Sequence, residues 1–166
     1  KVVSLDIETS YTTNELYCIG LSHGDFELVM MIGQRKNTAT LHYFPDEPAL
    51  LKAFSAWVKK YDPDIFIGWN VINFDFRFLA DKYKLYNLDF NLGRNNSTGS
   101  WRSSRDGQQH FLSLPGRLVV DGIDSLKAAT YHFESFSLEA VSRQLLGTGK
   151  KIEDVDNRAA AIQELF

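Results

Sequence analysis

The amino-acid sequence predicts an α/β fold, in which a mixed central sheet lies between helices in a three-layer domain. Three apolar, strand-like segments come first, and helices and strands then alternate along the chain. That order is expected when further strands, connected through helices, extend an antiparallel set in one sheet. The chain has 166 residues, 44% of them hydrophobic, which suits one domain with one core. We therefore expect residues 1–166 to form a single domain.

The individual elements follow from apolar spacing and from the residues that start or end them. Short apolar runs mark strands, apolar residues three or four positions apart mark helices, and Gly, Asn, Asp and Pro mark turns. In the first half of the chain we expect strands at residues 2–8, 16–22 and 26–32, with a turn at 23–25, and then a helix from residue 48 that ends at 62–64. Next we expect a strand at 65–69, a helix at 74–83 and a strand at 117–121. The last elements expected are helices from about residue 125, at 137–146 and at 157–166. The strand at 65–69 is almost wholly apolar, so we expect it to be buried on both faces. We also expect Trp57 and Trp69 in the core.

The net charge of −3 argues weakly against strong non-specific binding of nucleic acid, which usually depends on an excess of Lys and Arg. A nuclease with its own carboxylate cluster is an exception, because divalent cations neutralise the acids and attract phosphate. No run of about 18 apolar residues is present, so we expect no membrane span. The single cysteine, Cys18, has no partner for an internal disulfide, and we expect a cytoplasmic protein.

Two carboxylates at the end of the first strand, Asp6 and Glu8, form the first candidate site. Side chains two positions apart on a strand lie on one face, so both acids point the same way. Adjacent acids are costly unless a cation lies between them, and Mg²⁺ prefers such oxygen ligands. A solvated strand end is the alternative explanation for an isolated Asp-x-Glu. The apolar neighbours Val3, Leu5 and Ile7 favour a central strand, whose carboxyl end is a typical place for a functional site.

Asp75 follows the next buried strand and lies where the second helix begins. Acids favour helix N-termini for electrostatic reasons alone, so this position has an ordinary explanation. Beside Asp6 and Glu8, however, Asp75 would supply a third carboxylate to the same metal ions. Asp121 and Asp124 follow a later strand and would also suit a metal, although capping of the next helix is the explanation that we favour for them.

Four segments resemble family B DNA polymerases. LDIETS (5–10) and IGWNVINFD (67–75) resemble the first two exonuclease motifs of that family, and they contain Asp6, Glu8 and Asp75. GRLVVDGIDSLK (116–127) and SFSLEAVSRQLLGTGKK (135–151) resemble later segments of the same family, especially of its bacterial members. Either acidic motif alone would be weak, but the two in order with both later segments are highly specific. The resemblance runs from residue 2 to about residue 151, nearly the whole chain.

The resemblance implies a ribonuclease-H-like fold and a 3′→5′ exonuclease that proofreads for a DNA polymerase. Such a domain hydrolyses the 3′-terminal phosphodiester of single-stranded DNA with two Mg²⁺ or Mn²⁺ ions and releases 5′-mononucleotides. By this resemblance Asp6 bridges both ions, Glu8 helps to hold the ion that activates water, and Asp75 supports the second ion. The implied partners are the 3′ end of single-stranded DNA, the rest of a parent polymerase chain and, through that parent, a sliding clamp, although no clamp-binding segment is evident here.

The same resemblance implies contacts to the end of the DNA strand. Thr9 and Ser10 match family positions that contact the terminal nucleotide, and Asn70 and Phe74 match positions that touch the single-stranded 3′ end. Phe74 would act by stacking, which suits binding without sequence preference. Packing of Phe74 against Phe78 in the core is an alternative of nearly equal weight.

Residues 87–116 form an insert, rich in Asn, Gly, Ser and Gln, that we expect to be a hairpin or a loop. Residues 91–117 carry four arginines against one acid, with two aromatic residues among them: Arg94, Arg102, Arg105, Arg117, Asp106, Trp101 and Phe111. Arginines with aromatic residues can follow a phosphate backbone and stack on bases, so we predict that Arg102 and Arg105 contact DNA. Family B polymerases also carry a hairpin near here that helps to separate primer from template. A polar surface loop is an equal alternative.

The third exonuclease motif of the family, a Tyr followed four positions later by an Asp, does not occur in residues 1–166. We expect that the chain is a fragment that ends before this motif, and that the isolated fragment binds metal weakly and is weak or inactive. Two alternatives stay open. One is a nuclease-like domain that only binds DNA or serves as a scaffold, against which the intact acids argue. The other is a stand-alone ribonuclease-H-like exonuclease acting on RNA, against which the segments after residue 116 argue.

Overall fold

A six-stranded mixed sheet with helices packed against it is the main feature of the computed structural model, which describes residues 1–107 and 109–147. The strands are β1 (Val2–Thr9), β2 (Leu16–His23), β3 (Phe26–Ile32), β4 (Leu41–Phe44), β5 (Ile65–Gly68), β6 (Ser100–Ser103), β7 (His110–Ser113) and β8 (Leu118–Asp121). The helices are α1 (Glu47–Tyr61), α2 (Arg77–Leu85), α3 (Gly122–Ala128) and α4 (Leu138–Leu146), with a π-helix at Ile72–Phe76 and a short 3₁₀ helix at Arg94–Asn96. None of the helices in this described part of the chain is long and apolar enough to cross a membrane.

The strand order in the large sheet is β4-β3-β2-β1-β5-β8, so β1 is a central strand, as the sequence predicts. β1, β2 and β3 are antiparallel neighbours, whereas β5 is parallel to β1 and β8 is parallel to β5. The β2–β3 connection is the predicted tight turn, since His23 pairs with Phe26 and Gly24 has a φ of +55°. Glycine adopts a positive φ easily because it has no Cβ atom. Because it contains both antiparallel and parallel pairs, the sheet is of the predicted mixed type.

One face of the sheet carries the core, because alternate residues of its strands are buried against α1, the π-helix and α2. The buried hydrophobic residues include Val3, Leu5 and Ile7 of β1, Leu50, Leu51, Phe54 and Val58 of α1, and Phe76, Leu79 and Tyr83 of the π-helix and α2. The helix α1 begins where the Asp46 carboxylate accepts a hydrogen bond from the Ala49 amide at 2.8 Å. It ends at Asp62, whose φ of +54° stops the helical repeat. The other face of β1 keeps its polar and acidic side chains.

Three features of the fold differ from the sequence-based expectations. The sequence does not predict β4, which pairs parallel with β3. β5 is not buried on both faces, because Ile67 exposes 38% of its surface while Phe66 is fully buried. The helix α3 begins at Gly122, earlier than the predicted start near residue 125, since the Asp121 carboxylate caps it. The helix predicted at residues 157–166 lies outside the described residues.

Trp57 and Trp69 are both partly exposed and do not lie within the core. Trp57 stacks on Tyr61, with ring centroids 4.7 Å apart, and packs against the core while it remains partly exposed. Trp69 is also partly exposed, and its indole N–H donates to the Phe136 carbonyl at 3.1 Å. Partial exposure lets an indole bury carbon surface while its N–H still finds an acceptor, as that of Trp69 does. This finding corrects the prediction of core burial for both tryptophans.

The insert at residues 87–116 contains a hairpin formed by β6 and β7. Two of the arginines in this region serve the fold. Arg94 binds the carboxylates of Asp62 and Asp64, and Arg117, whose side chain is 2% exposed, also binds Asp62. Hydrogen bonds from Arg94 and Arg117 lower the pKa of the Asp62 carboxyl. These ion pairs anchor the insert at the start of β5, so neither arginine is available to follow a phosphate backbone.

We expect Gly68→Ala to destabilise the fold more than Gly20→Ala. A Cβ atom at Gly68 would lie 2.6 Å from the Leu5 carbonyl oxygen and 2.8 Å from Val71, so β5 would have to move away from β1. At Gly20, a Cβ atom would come no closer than 3.6 Å to the Asp6 carbonyl oxygen. Overpacking of this kind costs about 1–3 kcal/mol, whereas Gly20→Ala should stay within about 1 kcal/mol of the parent. Urea unfolding curves measure both variants, and equal midpoints would contradict the expectation.

Candidate active site

Asp6 and Glu8 project from the face of β1 that does not carry the core, as strand alternation predicts. Both side chains are exposed, while the residue between them points into the core. Across the ladder, Asp6 faces Gly20 and Glu8 faces Cys18. Burial, with the nearby charges of Glu8 and Asp6, raises the pKa of the Cys18 thiol to about 12, so this cysteine stays protonated. Asp6 and Glu8 thus lie side by side on the exposed face of β1.

Asp75 reaches β1 where β5 turns away from it. The two strands pair from Val2 to Ser4, and after Gly68 the chain leaves the sheet and enters the π-helix. Beyond that pairing, the Ile7 amide donates a hydrogen bond to the Asp75 Oδ1 atom at 2.9 Å. Asp75 exposes only 1% of its surface. A carboxylate thus takes the place of a strand partner and brings a third acid to the edge of β1.

The ionisation of Asp75 is affected by the charge of the first acid, Asp6. Burial, reinforced by the negative charge of Asp6, raises the pKa of the Asp75 carboxyl to about 7. The Ile7 amide opposes this shift, because its hydrogen bond stabilises the ionised form. Asp6 and Asp75 therefore interact although they come from different elements. A cation bound between them would favour ionisation of Asp75.

Asp121 caps a helix, as the explanation favoured from the sequence predicts. It is 3% exposed, and its carboxylate accepts hydrogen bonds from the Ile123 amide at 2.9 Å and from the Ile72 amide at 3.1 Å. One side chain thus caps α3 and also satisfies the first amide of the π-helix. Asp124 lies in the first turn of α3, and burial with the Asp121 charge raises the pKa of its carboxyl. Asp124 is therefore not the cap.

A β-bulge at the end of β1 shifts the ladder, so that Thr9 faces Leu16. Ser10 follows and is buried, and its hydroxyl accepts a hydrogen bond from the Thr13 amide at 3.0 Å. Its own amide donates to the Glu15 carbonyl at 2.8 Å. The Ser10 side chain is thus engaged within the turn, while Thr9 is half-buried at the bulge. Contact of these two residues with a terminal nucleotide stays a prediction.

Asn70 and Phe74 lie at the start of the π-helix. Asn70 has a φ of +57°, which Asn tolerates better than most residues, and its carbonyl accepts a hydrogen bond from the Phe74 amide at 2.9 Å. The Phe74 ring lies 6.2 Å from the Phe78 ring, centroid to centroid, and yet Phe74 exposes 45% of its surface. Phe74 therefore contacts Phe78 without entering the core. Stacking of a base on its ring stays a prediction.

Arg102 and Arg105 lie on the β6–β7 hairpin, and both are exposed. The Arg102 guanidinium lies over the Phe111 ring, 5.1 Å from its centroid. The Arg77 guanidinium at the start of α2 lies 5.8 Å from the centroid of the Trp101 ring on the same hairpin. Sequence patterns do not indicate Arg77, because its aromatic partner is remote in the chain. DNA binding by Arg102 and Arg105 stays a prediction.

A cleft of about 430 Å³ opens beside Asp6 on the exposed side of the sheet. Its walls include Ser4 of β1, Ile67 of β5, Val120 of β8 and Leu138 at the start of α4. Mostly apolar clefts with a few polar groups are the usual setting of a binding site. Asp6 is the acid in this lining, which makes the carboxylate accessible to a ligand in the cleft.

The carboxylates do not form a compact metal cage. Residues 1–107 and 109–147 contain no group of three or more His, Cys, Asp or Glu side chains that could hold a metal ion. Asp6 and Glu8 stand on the exposed face, whereas Asp75 is buried at the strand edge. The donor chemistry nevertheless fits a divalent cation such as Mg²⁺, because carboxylate oxygens are its preferred protein ligands, and burial with the negative charge of Asp6 disfavours ionised Asp75 unless a cation is near. The catalytic and metal-binding assignments of Asp6, Glu8 and Asp75 stay predictions.

The mixed six-stranded sheet, with acids on its central strand, is consistent with a ribonuclease-H-like domain. A comparison of the sequence with protein families identifies the particular family. The family described as "DNA polymerase family B, exonuclease domain" matches residues 1–141. The chain therefore belongs to the exonuclease domains of family B DNA polymerases.

Individual relatives agree with this membership. The whole chain is 43% identical to part of DNA polymerase II of Escherichia coli (strain K12), of which it spans 22% of the length. Over 91% of this chain it is 29% identical to a DNA polymerase of Thermococcus sp. (strain GE8), covering 9% of that protein. Over 69% of this chain it is 32% identical to the DNA polymerase delta catalytic subunit of Schizosaccharomyces pombe, covering 11% of that protein. The chain thus spans less than a quarter of each of these relatives.

Without divalent cations, we expect Asp75 to make the protein less stable as the pH rises from about 5 to about 7. The pKa of this carboxyl is about 7 in the folded protein, above its ordinary value of 3.8. In this range the folded state holds a proton that the unfolded state has released, so losing it disfavours folding. Asp75→Asn should flatten the slope of stability against pH, measured by urea unfolding in EDTA.

The matched control for this measurement is Asp62→Asn. Arg94 and Arg117 lower the pKa of Asp62, so this carboxyl is ionised in both the folded and the unfolded state across the range tested. Its substitution should change the stability by a constant amount and leave the slope as it is. A slope that persists unchanged in Asp75→Asn would show that another group is responsible.

Proposed function

We propose that this domain is a 3′→5′ exonuclease that removes nucleotides from the end of single-stranded DNA, in the proofreading role of a DNA polymerase. The observation that carries the proposal is the hydrogen bond from the Ile7 amide to the Asp75 carboxylate, which brings a buried acid next to Asp6. Membership of the family supports it, because the matching relatives are DNA polymerases. The fold alone would not, since one fold hosts many functions.

Asp6, Glu8 and Asp75 are proposed to hold two divalent ions, Mg²⁺ or Mn²⁺. Bound ions of this kind lower the pKa of an attacking water and neutralise charge on the phosphate and the leaving oxygen. Asp6 and Glu8 offer their oxygens from the exposed face of β1, which a DNA end can approach. Asp75 is held in one orientation by the Ile7 amide. It must release its proton as a cation binds, because ligand carboxylates act in the ionised form.

The DNA strand is proposed to lie between residues 9–10, at the end of β1, and the exposed ring of Phe74. That ring can stack on any base, so binding would not depend on sequence. Asn70 adjoins the same end of the π-helix. Arg102 and Arg105 supply positive charge from the hairpin to the phosphates, which offsets the net charge of −3 locally.

The domain is proposed to act as part of a longer polymerase chain. It spans 22% of the length of the E. coli relative, and the Tyr-x-x-x-Asp motif is absent from residues 1–166. The rest of a parent polymerase chain is therefore the first proposed partner, and a sliding clamp is proposed through that parent. We propose that residues 1–166 alone are weak or inactive, because one carboxylate of the metal site is missing from them.

We expect Asp6→Asn in the full-length protein to stop 3′→5′ trimming of a 5′-labelled single-stranded oligonucleotide. Asn keeps the size of the side chain and removes the charge that would hold the cation. The rate should fall by more than about 100-fold, the upper range for losing an outer partner of a metal ligand. Gel electrophoresis of the products in Mg²⁺, Mn²⁺ or EDTA measures this. The control is Asp25→Asn, the same substitution at an exposed acid in the β2–β3 turn, which should leave trimming unchanged.

The same assay separates catalysis from the scaffold alternative. If the wild-type protein binds the oligonucleotide but does not shorten it in either metal, the domain is a DNA-binding scaffold. If Asp6→Asn trims as fast as the wild type, the assignment of Asp6 is wrong. Residues 1–166 assayed beside the full-length protein test whether the isolated domain is weak.

We expect the double variant Arg102→Ala/Arg105→Ala to bind single-stranded DNA more weakly and with less salt dependence. Each phosphate contact contributes about 0.7 to the slope of log K against log salt concentration for a single strand, so losing two contacts lowers the slope by about 1.4. Fluorescence anisotropy at several salt concentrations measures the slope. Arg94→Met is the control, because this arginine is bound to Asp62 and Asp64. A double variant with the wild-type slope would exclude phosphate contacts by the hairpin.

A further inference from the structure

Glu47, the first residue of α1, is a buried carboxylate that joins three parts of the chain. The Lys82 ammonium of α2 donates to both of its oxygens at 2.9 Å. The Leu16 amide of β2 donates to Oε1 at 2.6 Å, and the Tyr86 hydroxyl donates to Oε2 at 2.7 Å. The side chains of Lys82 and Glu47 are 7% and 8% exposed. These three donor groups make four hydrogen bonds to Glu47, about as many as one carboxylate accepts, so the group is fully engaged.

On one side this cluster holds the turn that follows β1. The Leu16 amide donates a hydrogen bond to Glu47, and Leu16 faces Thr9 at the β-bulge. A bulge leaves an extra residue on one strand, so ladder hydrogen bonds alone do not set the position of the chain there. The Ser10 amide donates to the carbonyl of Glu15, the neighbour of Leu16, which extends the constraint into the turn. Glu47 thus fixes the backbone opposite Thr9 and Ser10.

The turn after β1 is not closely packed against the start of α1. A cleft of about 740 Å³ is lined by Thr13 and Glu15 of the turn and by Asp46 and Pro48 at the start of α1. The Glu47 cluster forms part of the same lining. Because the neighbouring side chains leave this space open, the hydrogen bond to the Leu16 amide is a main link between the turn and α1.

On the other side the cluster reaches the aromatic residues next to Asp75. The Lys82 ammonium lies 5.4 Å from the centroid of the Phe78 ring. Phe78 in turn lies 6.2 Å from Phe74, which is 45% exposed. A cation near a ring face is attracted by the quadrupole of the ring, so the charge of Lys82 helps to place Phe78. Lys82 therefore connects Glu47 with the ring that adjoins Phe74.

We propose that the Glu47–Lys82 ion pair positions the two walls of the DNA site, residues 9–10 at the end of β1 and the Phe74 ring, relative to each other. This inference rests on the proposed nuclease function and deepens it. Stability is a poor explanation for the pair, because buried ion pairs can often be replaced by apolar residues without loss of stability. Both side chains are buried, so neither is proposed to contact DNA itself. Both are positioning residues that act through Leu16 and Phe78.

The test compares kcat and KM for trimming of a 5′-labelled single-stranded oligonucleotide by variants of the full-length protein. Lys82→Met keeps the length of the side chain and removes its charge. We expect KM to rise about tenfold with kcat changed less than about twofold, as for the loss of one directed contact. Lys82→Arg should restore KM, because a guanidinium can also bind both carboxylate oxygens.

The double variant Glu47→Gln/Lys82→Met separates positioning from stability. It leaves no unpaired buried charge, so its melting temperature should return towards that of the wild type. We expect its KM to stay high, because the link between β2 and α2 is still broken. A KM that recovers together with the melting temperature would overturn the proposal. So would a lower kcat at unchanged KM in Lys82→Met, which is the result of a smaller folded fraction.

Arg94→Met is the matched control for losing an ion pair. Arg94 binds Asp62 and Asp64 next to the start of β5, at the opposite end of that strand from the candidate site, and its side chain is 37% exposed. Its KM should equal that of the wild type, and a rise like that of Lys82→Met would overturn the proposal. If the wild-type protein does not trim at all, the proposed function fails as well. If it trims and Lys82→Met has the wild-type KM, only the positioning role fails.

Discussion

The candidate site depends on the hydrogen bond from the Ile7 amide to the Asp75 carboxylate. β5 pairs with β1 only as far as Ser4, and a buried backbone N–H beyond that point needs another acceptor. Asp75 meets this need from the π-helix, and its burial raises the pKa of its carboxyl to about 7. The side chain that completes the edge of the strand is thus the same acid that lies next to Asp6. Fold and candidate chemistry share one interaction.

Two other buried carboxylates accept hydrogen bonds from backbone amides near the same end of the sheet. Glu47 accepts a hydrogen bond from the Leu16 amide at the bulge, and Asp121 accepts one from the Ile72 amide at the start of the π-helix. Hydrogen bonds to a charged acceptor are stronger than those between neutral groups, so each can hold a backbone segment in place. Around the carboxyl ends of β1 and β5, side chains therefore help to hold the backbone. Helices can place acids there without breaking the ladder.

Local patterns predicted what depends on neighbouring residues. Alternation gave the antiparallel set β1 to β3 and put Asp6 and Glu8 on one face, because side chains two apart on a strand always share a face. β4 escaped prediction because all four of its residues are half-buried, so no alternation marks it. The four arginines of the insert region looked alike in sequence. Their partners separated them, since Arg94 and Arg117 bind acids that precede β5 while Arg102 and Arg105 are exposed.

The sequence by itself determined the α/β fold class, the central strand with its two acids, and the motifs of family B DNA polymerases. These features are written in spacing and residue type, which are local. Only the tertiary structure decided the burial of Asp75 and the pairing of Glu47 with Lys82. Desolvation and ion pairing depend on which remote residues come within a few ångströms, and the fold alone brings those residues together.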